Sequence, residues 1–147
     1  MKNLNSVLRL IKTKTREFEK TPILRFKGFI KPNWRPRGDR LNFVGVYIIY
    51  ENNNELIYIG HAGKGKHLLK YRIADLFYYN SKLSKPFHHT LTKKLLTKIK
   101  HFKNIGELRK FYLEKCYFRI IRIDRVRDAR IIEATFISLL KPKYNEE

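Results

Sequence analysis

Cysteine, methionine and tryptophan occur once each in these 147 residues, and acids are scarce, 13 Asp and Glu against 33 Lys and Arg. The lone Cys116 excludes an internal disulfide framework and a cysteine-based zinc site, and its place among β-forming residues predicts a buried core position. No apolar run approaches the ~18 residues of a membrane-spanning helix, and the N-terminus has no signal-peptide h-region with a cleavage site. A soluble, intracellular, cytoplasmic chain is expected. Internal repeats and low-complexity tracts are also missing.

What is present is positive charge. A formal net charge of +20 and a pI near 10.2 exceed what solubility requires and point to a polyanion, either nucleic acid or an anionic membrane surface. Residues 1–40 hold 12 Lys/Arg against 3 acids, residues 61–110 hold 13 against 2, and residues 111–147 hold 8 against 6, whereas residues 41–60 have two acids and no Lys/Arg. Phosphate contacts should therefore flank the least basic stretch. The first segment places Leu4, Val7, Leu8, Ile11 and Phe18 among basic residues, an amphipathic pattern that would suit a membrane surface. Without a longer apolar run the expected partner is nucleic acid, with no membrane involved.

At 43% hydrophobic, a chain of this length supports one core. It divides into a basic N-terminal extension, residues 1–40, and a main domain, residues 41–147. Asn5 to Glu19 predicts a helix, Pro22 to Ile30 a strand or irregular segment, and Lys31 to Arg40 a basic loop interrupted by Pro32, Pro36 and Gly38. In that loop Trp34, beside Arg35 and Arg37, could stack on a base while the cations hold phosphate, or could plug the extension onto the core. From Phe43 the patterning predicts strand, turn, strand, a helix within His67 to Tyr79, and a second helix from about His88 to His101. A strand from Tyr112 to Ile123 and a helix from Val126 to Leu140 complete the order ββααβα. The fold class is α/β, a small mixed three-stranded sheet flanked by helices.

The hairpin carries two tyrosines. Val44 to Tyr50 alternates, Glu51-Asn52-Asn53-Asn54 turns, and Leu56 to Ile59 returns. If Tyr50 pairs with Glu55, Tyr47 lies opposite Tyr58 on the same face, and two phenols converge. Two of the following helices each set one charge in an apolar stripe: Arg72 among Leu69, Ile73 and Leu76, and Glu133 among Ala129, Ile132, Phe136, Ile137 and Leu140. An arginine so placed wants an anion, or snorkels to solvent; a carboxylate so placed wants a cation, or forms a structural ion pair with Arg72 or Arg130.

Gly45-Val46-Tyr47 and, ten residues on, Tyr58-Ile59-Gly60 together resemble the signature of the GIY-YIG nuclease family, over roughly residues 43–145. The resemblance implies the same ββααβα core and a DNA endonuclease. It makes Arg72 the phosphate-stabilising arginine, Glu133 the ligand of one Mg²⁺ (or Mn²⁺), and Asn145, beyond the break at Pro142, the terminal asparagine of the site. Tyr47 is the implied general base and Tyr58 a hydrogen-bonding partner of water or phosphate. A free phenol titrates near ~10, about three units above neutral, a gap of roughly 4 kcal/mol. Many relatives place lysine after the second glycine where this chain has His61, so His61, protonated or as the base itself, or else Lys64 or Lys66, would fill that role. His88 and His89 open the second helix, where paired exposed histidines serve as phosphate contacts or caps. Spacing does not choose between them, and His89 is taken as the phosphate contact, with Lys93 and Lys94 along the helix, while His67 and His101 are expected to be structural.

The expected partner is duplex or branched DNA, and one small site cutting both strands calls for a homodimer or successive nicks. A non-catalytic basic nucleic-acid-binding protein is the alternative that charge alone supports, and a ribosomal-type RNA-associated protein a third.

Overall fold

The computed structural model describes residues 3–63 and 67–145. Lys64 and Lys66 lie outside them. The chain forms α1 (Leu4–Lys20), a 3-10 turn (Phe26–Gly28), β1 (Gly45–Glu51), β2 (Leu56–Ala62), α2 (Leu69–Asp75), α3 (Thr90–Lys93), α4 (Ile105–Lys115), β3 (Cys116–Arg122) and α5 (Val126–Leu140). This is the expected α/β class, with the strands in the order β2-β1-β3 and antiparallel throughout.

The hairpin turns where its asparagines allow it. Asn54 takes a left-handed φ of 67°, which asparagine tolerates, and its side chain accepts a 2.6 Å bond from the Tyr117 hydroxyl. The register differs from expectation by one residue at the turn, where Tyr50 pairs with Leu56 instead of Glu55, and by one more at a bulge between Ile49 and Tyr50. Tyr47 pairs with Gly60 and Tyr58 with Ile49, so the tyrosines are diagonal neighbours, not direct partners. The slip is two residues, an even number, and an even slip keeps every side chain on its face. Both phenols still share one side, with ring centroids 6.2 Å apart.

Alternation sorts the core into two layers. Tyr47 and Ile49 face a cluster that includes Phe26, Phe77, Tyr112 and Phe118, all fully buried. Val46 and Ile48 face Ile59, Ile121, Ala129, Ile132 and Phe136, with Ile11 and Phe18 of α1 packed on the outside. The stripe of α5 holds through Phe136, but Leu140 is exposed where the helix ends. Lys141 closes α5 in a left-handed turn at φ 48°, and Pro142 prevents continuation.

The region before β3 departs from the pattern reading. Tyr112 is helical, because α4 runs to Lys115 and the strand begins only at Cys116. Asn104 caps this helix by accepting from the Glu107 amide at 2.9 Å, while Glu107 Oε2 accepts from the Lys103 amide. Leu108 and Tyr112, four apart, bury the same face. Helical spacing thus outweighs the β preference of Phe111 and Tyr112. The second predicted helix is α3 continued by a π-helical turn over Lys94–Lys98. Cys116 is buried, as expected.

The extension is built into this core. Leu24 exchanges backbone hydrogen bonds with Phe118, and Phe26 stacks on Phe118 at 4.6 Å. Trp34 lies parallel to Phe77, ring centroids 5.7 Å apart, with the Arg109 guanidinium 4.4 Å from its ring centroid. These contacts are those of the plug reading of Trp34.

Candidate active site at the edge of the sheet

Strand β2 is a sheet edge, and the site forms around it from both faces. Pairing with Tyr47 puts Gly60 directly beneath the Tyr47 ring, and a Cβ on Gly60 would overlap the ring and its hydroxyl. Only glycine lets the phenol cross the strand. The second glycine of the paired motif is thereby explained by space.

On that face Tyr47 is completely buried and its oxygen lies 2.6 Å from His89 Nε2. His89 is the N-cap of α3, and its Nδ1 accepts from the Leu91 amide at 3.0 Å. A ring nitrogen that accepts a backbone N–H bears no proton, so the neutral imidazole carries its hydrogen on Nε2 and donates it to Tyr47. Burial, then Arg72, holds the His89 pKa well below its ordinary value, which keeps the ring neutral. His89 is therefore a buried anchor for the phenol, not the exposed phosphate contact expected. Burial, followed by Tyr58, raises the Tyr47 pKa far above 10, with Arg72 opposing. Burial raises Tyr58 as well.

Arg72 sits between the phenols and an open cleft. Its guanidinium donates to the His88 carbonyl at 2.9 Å and lies 3.5 Å from Asp75, while its charge favours ionisation of both tyrosines. The cleft has a volume of about 660 Å³, and its walls include His61, His67, Arg72, Asp75, Lys85 and His88. Asp75 and Lys85 are not marked by the sequence pattern, His88 is one of the two histidines between which spacing does not choose, and His67, expected to be structural, lines the cleft. Asp75 was findable: three residues after Arg72 on a helix, it must share that side. Lys85 and His88 come from a loop, where no periodicity marks them.

The opposite face supplies the acid. His61 pairs with Val46 and so points away from Tyr47, toward α5, where its Nδ1 meets Glu133 Oε2 at 2.8 Å. Both side chains are about one-quarter exposed, 24% and 23%. Glu133 is close enough across the edge to raise both tyrosine pKa values. Among the described residues no three His, Cys, Asp or Glu side chains are grouped to hold a metal. Glu133 reaches the border of the cleft through His61 as a partly exposed carboxylate, a hard oxygen ligand of the kind that takes Mg²⁺ with most of its waters retained, while the Asp75 carboxylate stands in the cleft wall itself.

The remaining predicted residues have definite places. Asn145 is bound to the rim of β2: Oδ1 accepts from the Ile59 amide at 2.7 Å, and Nδ2 donates to the Ile59 carbonyl at 2.8 Å. With Lys143 and Tyr144 bonded to Leu56 and Ile57, the C-terminal segment covers the open edge. Lys94 donates to the Tyr144 carbonyl at 3.0 Å and fastens that segment. Lys93, Arg35 and Arg37 are exposed.

The architecture defines a class: a small α/β domain, three antiparallel strands with helices on both faces, consistent with a GIY-YIG-type core. No protein-family model matches the chain. It is similar to UvrABC system protein C of Aliarcobacter butzleri (strain RM4018), 35% identical over 104 residues, which are 71% of this chain and 14% of that protein. It is also similar to UvrABC system protein C of Helicobacter acinonychis (strain Sheeba), 29% identical over 104 residues with the same two shares. The chain thus matches a small part of the length of these relatives. No helix among the described residues is long and apolar enough to cross a membrane.

Proposed function

We propose that this chain is a divalent-metal-dependent DNA endonuclease of the GIY-YIG type. The observation that carries the reading is the convergence of Tyr47, Tyr58, His89 and Arg72 from one face with His61 and Glu133 from the other, at a single strand edge beside an open cleft. Hydrolysing a phosphodiester requires an activated water, cations facing the charge that grows on the phosphoryl oxygens, and support for the leaving oxygen. Arg72 and Lys85 supply fixed positive charge in the cleft. Glu133 would hold Mg²⁺ or Mn²⁺, which supplies Lewis-acid stabilisation when bound.

The proton acceptor is Tyr47 in the reading that the family resemblance suggests. His89 supports it by donating to the phenol oxygen, a bond that strengthens as charge develops there. The second reading gives the role to His61. If Glu133 takes the Nδ1 hydrogen, the neutral ring has its lone pair on Nε2, and His61 lines the cleft while Tyr47 is sealed.

The test is incubation of the full chain with mixed duplex, branched and single-stranded DNA, with Mg²⁺, Mn²⁺ or chelator, and sequencing of the ends. Metal-dependent nicking that Glu133→Ala abolishes, with salt-dependent binding kept, is the expected result. Equal cutting in chelator would remove the metal from the proposal, and binding without cutting under any condition would leave the non-catalytic alternative.

A further inference from the structure

A second cleft lies on the other side of Asp75. Its volume is about 360 Å³, and it opens between the basic loop at Trp34 and Arg35 and the stretch after α2 that carries Tyr78 and Tyr79. A ridge of two ring pairs divides it from the catalytic cleft: Tyr78 on His88, centroids 3.6 Å apart and nearly parallel, and Tyr79 against Phe87 at 5.1 Å. Phe87 and His88 line the first cleft, whereas Tyr78 and Tyr79 line the second. One strand of nucleic acid crossing the ridge would touch both.

The chemistry of the second cleft suits a base better than a phosphate. Tyr71 and Tyr79 leave 43% and 36% of their surface to solvent, large for aromatic side chains. Asp75 is one wall, and a carboxylate repels phosphate but accepts from the amino and imino N–H groups of a base. Burial raises its pKa, while Arg72 and His88 on the ridge side hold it down. Arg35 is exposed at the lip, where a backbone phosphate would meet it. Paired bases cannot enter, because their edges and faces are already used in the duplex.

We propose that this cleft receives an unpaired base of the DNA next to the scissile phosphate, so that the chain prefers substrates with a single-stranded junction, overhang or flap. The proposal rests on the nucleic-acid reading above but does not require cleavage. The experiment is therefore run in chelator, with 2-aminopurine placed in the single-stranded part of an overhang duplex and a blunt duplex of equal length as reference. Binding of the full chain is expected to quench the probe and to favour the overhang.

Tyr71→Ala with Tyr79→Ala should abolish the quench and weaken overhang binding roughly 5- to 100-fold, as loss of base stacking does. Blunt-duplex affinity should stay within about twofold, and the double Tyr→Phe variant should keep both signals. Equal loss on the two DNAs, or no loss on either, would overturn the cleft assignment alone. Failure of the wild-type chain to bind any DNA would overturn the nucleic-acid reading with it. Quenching without metal-dependent cutting would retain the cleft and remove the nuclease.

Discussion

The two faces of the sheet are built from different chemistry, although the same three strands supply both. One carries Tyr47, Tyr58, Phe118 and, packed above, Phe26, Phe77, Tyr112 and buried His89; the other carries Val46, Ile48, Ile59 and Ile121 against Ala129, Ile132 and Phe136. Aromatic rings with polar tips can be buried and still direct a hydroxyl or a ring nitrogen at a chosen point. Branched aliphatics only pack. At the border of the aliphatic face His61 and Glu133 meet. An edge strand is the one place in such a sheet where groups from both faces can address the same ligand. On the proposed function, that accounts for a site gathered at the edge of β2.

If this division of labour is right, substitutions on the two faces should fail in different ways. The largest effect is expected from Tyr47→Phe, which should lower the cleavage rate by two or more orders of magnitude with little change in unfolding midpoint. Since the Tyr47 pKa lies well above 10, the wild-type rate should climb with pH through neutrality and beyond if the phenol is the base. A plateau near neutral pH that His61→Gln removes would assign the role to His61.

On the other face Ile132→Ala should cost about 2–5 kcal/mol in denaturant unfolding, through lost burial and the cavity left behind. Activity per folded molecule should remain. A comparable loss of rate there would dissolve the contrast between the faces.

Asn145→Ala should cost about 1–3 kcal/mol by stranding the Ile59 peptide, with the C-terminal segment lifting from the edge first in hydrogen exchange. Unchanged protection of the Ile59 amide would remove its holding role.

The smallest effect concerns pH. His89 is depressed in the fold, so the unfolded chain gains a proton as pH drops below about 6.5 while the folded chain resists. Its contribution is complete above that pH and falls away below it by up to about 1.4 kcal/mol per unit. In His89→Asn, which can still cap α3, this part of the acid-side slope should vanish. An unchanged slope would place the acid sensitivity elsewhere.

The face assignments were readable because alternation survives even register errors: one residue of slip at the turn and one more at the bulge between Ile49 and Tyr50 moved Tyr47 from Tyr58 to Gly60 without changing its side. The positions of Arg72 and Glu133 were readable because a charge inside an apolar stripe is conspicuous. That His89 caps its helix while buried against Tyr47 was not readable, since two adjacent histidines at a helix start give no sign of which one turns inward. Only packing against Tyr47 selects it. The helix Ile105–Lys115 was hidden by local β preference, although Asn104 and Glu107 mark its start.

Sequence alone determined the hairpin with its paired tyrosines, the charge imbalance and the apolar faces of the helices, because these follow from short-range spacing. Tertiary structure decided what Tyr47 touches, which way His61 points, how the extension enters the core, and that Asp75 stands between two clefts. Those facts depend on side chains distant in the chain meeting in space, as Tyr47 with His89 and His61 with Glu133 do at separations of 42 and 72. No local period encodes such meetings; they arise only when the two layers close around the sheet.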